Sequence, residues 1–186
     1  RSSYTKMVWI YWTGNVGKSA GNNIISGDGD DKGHALWCPE IYGNKLSAGH
    51  NGHWNTVQDK IPLERNRWYF VALTYDYLSG EMILYKDAVE VSKAKVPTAD
   101  KDVTDPTISI GSFGYKNGFM FQGLMDDIRI YNRPLSADEI KSIYKNKNVV
   151  AVVSQSDNKQ GNLQPKESKR QPKAFIVWES NRTGQW

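Results

Sequence analysis

The 186-residue sequence predicts an all-β protein, an antiparallel β-sandwich with one short helix near the end of its folded region. Three observations carry that expectation. Short extended runs recur between clusters of Gly, Pro, Asn and Asp, as they do in sheets built from hairpins. The two strongest runs, Trp68 to Tyr75 and Met82 to Lys86, are joined by the turn-rich Asp76-Tyr-Leu-Ser-Gly80. Finally, Gly123-Leu-Met-Asp-Asp-Ile-Arg-Ile-Tyr-Asn-Arg-Pro-Leu-Ser-Ala-Asp-Glu-Ile-Lys-Ser-Ile-Tyr144 spells a strand, a turn and a helix start without interruption.

In chain order, Tyr4 to Trp12 alternates Lys6, Val8, Ile10 and Trp12 with Thr5, Met7, Trp9 and Tyr11. Large side chains on both faces predict a central strand covered on both sides. Asn22 to Ser26 reads as a short strand, Gly27 to Gly33 as a tight acidic loop, and His34 to Cys38 as an extended apolar run. Another strand starts at Leu46, whereas Gly49-His-Asn-Gly-His-Trp-Asn55 reads as a loop or a bulged strand end. Thr107 to Gly111 and Phe119 to Phe121 are further short strands. In the closing strand, a period of two puts Leu124, Asp126, Ile128 and Ile130 on one face. Pro134 ends it, Ser136 and Glu139 form a capping box, and Leu135 can staple onto Ile140, with helix expected to about Tyr144. Beyond that point Val149 to Val153 reads as a short strand and Ser154 to Lys173 as a polar linker, before an apolar segment from Ala174 to Trp186.

The closing run, together with Trp68-Tyr-Phe-Val-Ala-Leu-Thr-Tyr-Asp76 and Gly80-Glu-Met-Ile-Leu-Tyr-Lys-Asp87, resembles laminin-G-like domains of the concanavalin A-like lectin/glucanase group. The resemblance spans most of Tyr4 to Tyr144 and implies a jelly-roll sandwich common in secreted and surface proteins of bacteria. It also implies one or more strands ahead of the first one seen here. The segment from Ala174 is similar to the opening of a bacterial TolB-type propeller repeat. The expected organisation is a sandwich over 1–148, a basic linker over 149–173, and over 174–186 a stub of a following domain or an extra strand.

Seven Trp and ten Tyr suit sandwich cores and also supply flat apolar faces for sugar rings. The net charge of +4 is unevenly distributed: residues 1–144 carry sixteen Lys and Arg against seventeen Asp and Glu, and residues 145–186 carry eight against three. The folded region is therefore balanced and the excess belongs to the tail, which argues against nucleic-acid binding. No apolar run is long enough to span a bilayer. The single Cys38 excludes an internal disulfide framework.

All three histidines of the chain lie in two neighbouring segments, giving a candidate carbohydrate site of His34, Trp37, His50, Asn51, His53 and Trp54, with Asn55 beside them. Such a set offers an aromatic face for the C–H side of a sugar ring and donors and acceptors for hydroxyls. The alternative is that Trp37 is core and the Gly-His-Asn-Gly run a turn. Zinc at these histidines with Cys38 is disfavoured, because His50 and His53 are three apart and no paired cysteine accompanies them. Asp28, Asp30 and Asp31 read as a solvated acidic turn. The family resemblance implies a structural calcium near the closing strand, which would implicate Asp126; a carboxylate on a strand face with Leu124, Ile128 and Ile130 needs a cation, an arginine such as Arg133, or several donors.

The Glu-x-Asp-x-Glu pattern of sandwich glucanases is absent, so no catalytic residue is expected. The functional expectation is a non-catalytic carbohydrate-binding or adhesion module of a larger exported bacterial protein, secreted or at the cell surface. Its partners would be a glycan or glycoprotein and neighbouring domains of its own chain. An architectural spacer is the alternative, and part of a glycoside hydrolase or polysaccharide lyase a more distant one.

Overall fold

The computed structural model describes residues 3–14, 21–27, 34–50, 53–96, 108–113, 119–156 and 177–179. The strands are β1 Tyr4–Trp12, β2 Asn23–Gly27, β3 His34–Trp37, β4 Lys45–His50, β5 His53–Pro62, β6 Arg67–Asp76, β7 Glu81–Lys86, β8 Val89–Lys95, β9 Ile108–Ile110, β10 Gly123–Tyr131 and β11 Val177–Glu179. They form a six-stranded sheet in the order β11-β10-β1-β6-β7-β8 and a five-stranded sheet in the order β5-β4-β3-β2-β9. Every pairing of these strands is antiparallel except that of β11 on β10, which is parallel.

Strand β1 occupies the centre that its two-sided pattern predicts, between β10 and β6. Val8, Ile10 and Trp12 face the second sheet and pack with Ile25, Leu36, Leu46, Val57, Leu73 and Leu84. Met7 and Trp9 face the other way and pack with Phe70, Tyr85, Tyr131, Leu135 and Ile140. A helix, α1 Ala137–Ser156, covers that outer face. The ring of Tyr144 stacks on Trp9 with centroids 5.5 Å apart.

Helix α1 begins as its sequence dictates. The Ser136 backbone N–H donates to Glu139 Oε2 at 2.8 Å and the Glu139 N–H donates to Ser136 Oγ at 3.3 Å. Leu135 and Ile140 are both buried in one cluster, as a hydrophobic staple requires. Arg133 adds two bonds to the Glu139 carboxylate, at 2.8 and 3.1 Å, and holds its pKa down to about 2. Helix α1 outruns the expected end at Tyr144 and absorbs Val149 to Val153, which read as a strand. A run of consecutive apolar residues cannot distinguish helix from strand by period, and no Gly or Pro occurs between Ala137 and Ser156 to stop the helix.

Replacing Ser136 and Glu139 together by Ala is expected to cost about 1 to 2 kcal/mol in chemical denaturation, as two backbone donors lose their partners. Because the folded-state pKa of Glu139 is depressed, its contribution is complete above its unfolded value of 4.5 and fades as pH falls toward about 2. The carboxylate is 42% exposed, so solvent screening keeps this pH term small. Denaturation midpoints of the double variant that match the parent at neutral pH would remove the capping argument.

The closing strand departs from a simple period of two. Met7 stands opposite Arg129 but Trp9 opposite Asp126, so β10 carries one extra residue, and Asp127 adopts the left-handed conformation with φ 53°. This β-bulge reverses the faces on either side of it. Ile128 and Ile130 point into the core, whereas Asp126, opposite the outward Trp9, lies on the other face. The expectation that Asp126 shares a face with Ile128 and Ile130 is thereby corrected. Asp127 is held by Arg129, which donates to its two oxygens at 2.8 and 3.1 Å.

Candidate aromatic binding face

The five-stranded sheet places the predicted site residues on two opposite faces. Cα register sets Ser26, Ala35 and Gly49 side by side across β2, β3 and β4, and Asn23, Trp37, Ser47 and Gln58 side by side across β2 to β5. Leu36 and Ala48, one position along, belong to the inter-sheet core, so both rows face outward. The first row is made of small residues. Beside it a cluster forms from Ala35, Trp37 and Phe113, with Tyr42, Trp54 and Phe119 packed against them.

Trp54 comes from the edge strand β5, and Phe113 follows β9 at the opposite edge. They meet nevertheless, in a T-shaped contact with centroids 5.5 Å apart, because Gly49 and Ala35 leave the intervening face low. Trp37 contacts Tyr42 edge-on at 5.6 Å and donates its indole N–H to the Trp54 carbonyl at 2.8 Å. Tyr42 is presented by a 3-10 turn, Glu40–Tyr42. Trp37 is 8% exposed and therefore serves as the floor, while Trp54, Tyr42 and Phe119 remain half-buried and offer ring surface to solvent. The arrangement can stack the apolar face of a planar or ring-shaped ligand.

The predicted histidines behave differently from one another. Register puts His50 of β4 opposite His34 of β3 and also opposite His53 of β5, so the three backbones do meet at one end of this sheet. His53 is exposed there. Asn51 lies outside the described residues, as do Asp28, Asp30 and Asp31. His34, however, points into the sandwich, where its Nδ1 contacts the Lys6 amine and its ring packs on Tyr4 with centroids 5.2 Å apart. It belongs to the interior rather than to the aromatic face.

Lys6 is the unexpected interior group. It is 1% exposed, its Nζ donates to the Ile25 carbonyl at 3.3 Å, and the Tyr4 ring centroid lies 5.2 Å away. Burial drives its pKa well below the ordinary lysine value. The signal was available in the sequence, since Lys6 shares a period-two face with Val8, Ile10 and Trp12 in a strand read as covered on both sides.

Among the described residues no three His, Cys, Asp or Glu side chains converge on one point. Cys38 is enclosed in the core with its Sγ 3.9 Å from the Asn22 carbonyl, and burial raises its pKa. Arg133 donates to the Glu139 carboxylate. No described helix is long and apolar enough to cross a membrane.

Comparisons with known proteins agree with this architecture. A family model for laminin-G type 3 domains, of the concanavalin A-like lectin/glucanases superfamily, matches residues 1–141. No curated protein sequence matches the chain. Among solved structures, a Bacteroides ovatus protein assigned a carbohydrate-binding role superposes with a TM-score of 0.61 at 23% identity, over 75% of this chain and 40% of that one. The chain thus spans well under half of that protein. Domain 4 of an extracellular arabinanase from Geobacillus stearothermophilus, in complex with arabinotriose, gives a TM-score of 0.58 at 20% identity over 77% and 68% of the two chains. The CBM40 module of a Ruminococcus gnavus IT-sialidase, bound to α2,3-sialyllactose, gives 0.59 at 15% identity over 77% and 82%. At these identities the likeness is one of fold.

Proposed function

We propose that this chain, which belongs to the laminin-G type 3 family of the concanavalin A-like lectin/glucanases superfamily, is a non-catalytic carbohydrate-binding module of a larger exported bacterial protein. The observation that carries the reading is the aromatic face of the five-stranded sheet, where half-buried Trp54 stands over a floor of small residues and Trp37. Sugar rings stack on such faces through their C–H side, and hydroxyls take hydrogen bonds from the surrounding polar groups. The carbohydrate-bound relatives of the same fold support the reading by analogy.

Trp54→Ala is the direct test. Binding to an oligosaccharide found on a glycan array should weaken at least about tenfold, as loss of a central aromatic contact does, while the thermal transition stays cooperative. The rival reading is a spacer without ligand, favoured by the burial of Trp37 and the use of its indole N–H within the protein. A blank array would select it.

A structural calcium held in part by Asp126 is a separate proposal, supported by the burial of that residue at 6% exposure. Calcium takes about six to eight oxygens, so one carboxylate must be joined by other donors. In metal-stripped buffer, added calcium should raise the melting temperature and Asp126→Asn should remove the rise. A transition indifferent to calcium and chelator ends that proposal.

A further inference from the structure

On the side of the edge strand β5, the aromatic face is bordered by an amide whose orientation the protein fixes. Gln58 lies in the outward row with Trp37 and Ser47 and is half-buried. Its backbone N–H donates to Ser92 Oγ of β8 at 3.1 Å, which ties this point of β5 to the other sheet. Its side-chain Nε2 donates to Ser47 Oγ at 3.0 Å. The Ser47 hydroxyl gives its one proton to the Lys45 carbonyl at 2.9 Å, so toward Gln58 it can only accept. Turning the amide over would set Oε1 against that acceptor, and the contacts therefore select the orientation with Nε2 on Ser47. Oε1 is the end left over: it accepts from no described residue and is not enclosed.

The position of this acceptor gives it a use. Trp37 and Gln58 flank Ser47 from the two neighbouring strands, and the Trp37 indole reaches across β4 to the Trp54 carbonyl of β5. The row that holds Gln58 is two residues, or about 7 Å, along the sheet from the row of Ala35 and Gly49 over which Trp54 meets Phe113. A sugar ring stacked on Trp54 carries its hydroxyls around its rim, and a chain of such rings extends from one row to the other.

We infer that Gln58 is a specificity-determining residue of the aromatic face, whose Oε1 accepts a hydrogen bond from one hydroxyl of an oligosaccharide stacked on Trp54. This rests on the carbohydrate-binding reading above. An acceptor held in place selects a hydroxyl over a deoxy position or an O-methyl group, because neither of those has a proton to give. Gln58 is open to water, which can replace a missing hydroxyl, so the discrimination amounts to about three- to tenfold.

The test screens the full chain on a glycan array that includes arabinotriose, xylotriose, cellotriose, chitotriose and α2,3-sialyllactose, and then measures the tightest binder against its complete set of monodeoxy analogues. At one hydroxyl the parent should prefer the natural sugar to its deoxy analogue about three- to tenfold. Gln58→Leu, which removes the acceptor, and Gln58→Lys, which puts a donor in its place, should each abolish that preference and leave the effect of the other deoxy positions in place. A ratio of two ligands on one protein is insensitive to a general loss of stability, and two variants of opposite polarity keep the test open where one folds poorly. A parent indifferent to every deoxy analogue, or variants that retain all of its preferences, overturns the inference. In that case binding that Trp54→Ala still abolishes spares the carbohydrate reading, whereas a blank array removes both.

Discussion

Raising the pH from about 7 to about 9 is expected to stabilise this protein, and Lys6→Met is expected to abolish that gain. The sign follows from which state binds more protons. In the unfolded chain Lys6 titrates at 10.5, whereas burial between the sheets drives its folded pKa well below that value. Between the two values the unfolded state holds the extra proton, so stability climbs with pH, at most by about 1.4 kcal/mol per unit.

The other buried groups act later and in the opposite sense. Cys38 and Tyr4 have raised folded pKa values, so their contribution is present below the unfolded values of 9.0 and 10.0 and is lost above them. A stability maximum on the alkaline side of neutrality is the expected outcome. Methionine fills much the same space without a charge. It leaves the Ile25 carbonyl and His34 Nδ1 without their donor, at a cost of about 1 to 3 kcal/mol for each group left unsatisfied. The change in absolute stability at neutral pH is therefore a balance, but the loss of slope is not. Urea denaturation of parent and variant across this range decides the matter: a parent whose stability falls steadily toward alkaline pH, or a variant that keeps the slope, contradicts a neutral interior amine.

Gly49→Ala is expected to cost about 3 to 5 kcal/mol and to remove ligand binding with it. A Cβ built on Gly49 would lie 1.7 Å from the His53 carbonyl oxygen and 3.0 Å from the Trp54 carbonyl carbon. These are backbone atoms of the neighbouring strand and cannot rotate away. Relief requires β4 and β5 to separate just where Trp54 is launched across the sheet toward Phe113. Gly43→Ala is the control. Gly43 has φ 67° and nothing within 4 Å of the place its Cβ would take, so only the cost of a left-handed alanine remains, about 1 to 2 kcal/mol. Comparable destabilisation of the two variants, with binding kept in Gly49→Ala, would show that the hairpin tolerates a side chain and that Trp54 does not depend on it.

The sequence determined what depends on neighbours a few residues away. The two-sided pattern of Tyr4 to Trp12 made β1 a central strand, and Ser136 with Glu139 set the start of α1, because alternation and capping are local properties of the chain. The aromatic-rich segments around Trp37 and Trp54 were legible as one candidate face for the same reason, their residue types being suited to sheet surfaces. Strand β8 carries too little apolar pattern to be read alone, with Glu90, Lys93 and Lys95 along its exposed edge, and it exists because β7 offers it a ladder. Likewise β5 runs from His53 through a segment rich in polar residues, held by pairing with β4.

Only the tertiary structure decided which way the site residues point. One extra residue at Asp127 moved Asp126 to the face opposite Ile128, and a bulge of this kind is a property of two strands in register rather than of either sequence. His34 turned inward to the Lys6 amine while Trp37, three residues on, faced outward to join Trp54, Phe113 and Phe119 from distant parts of the chain. The site is thus a product of cross-strand register, and register is set by the packing of one whole sheet against the other.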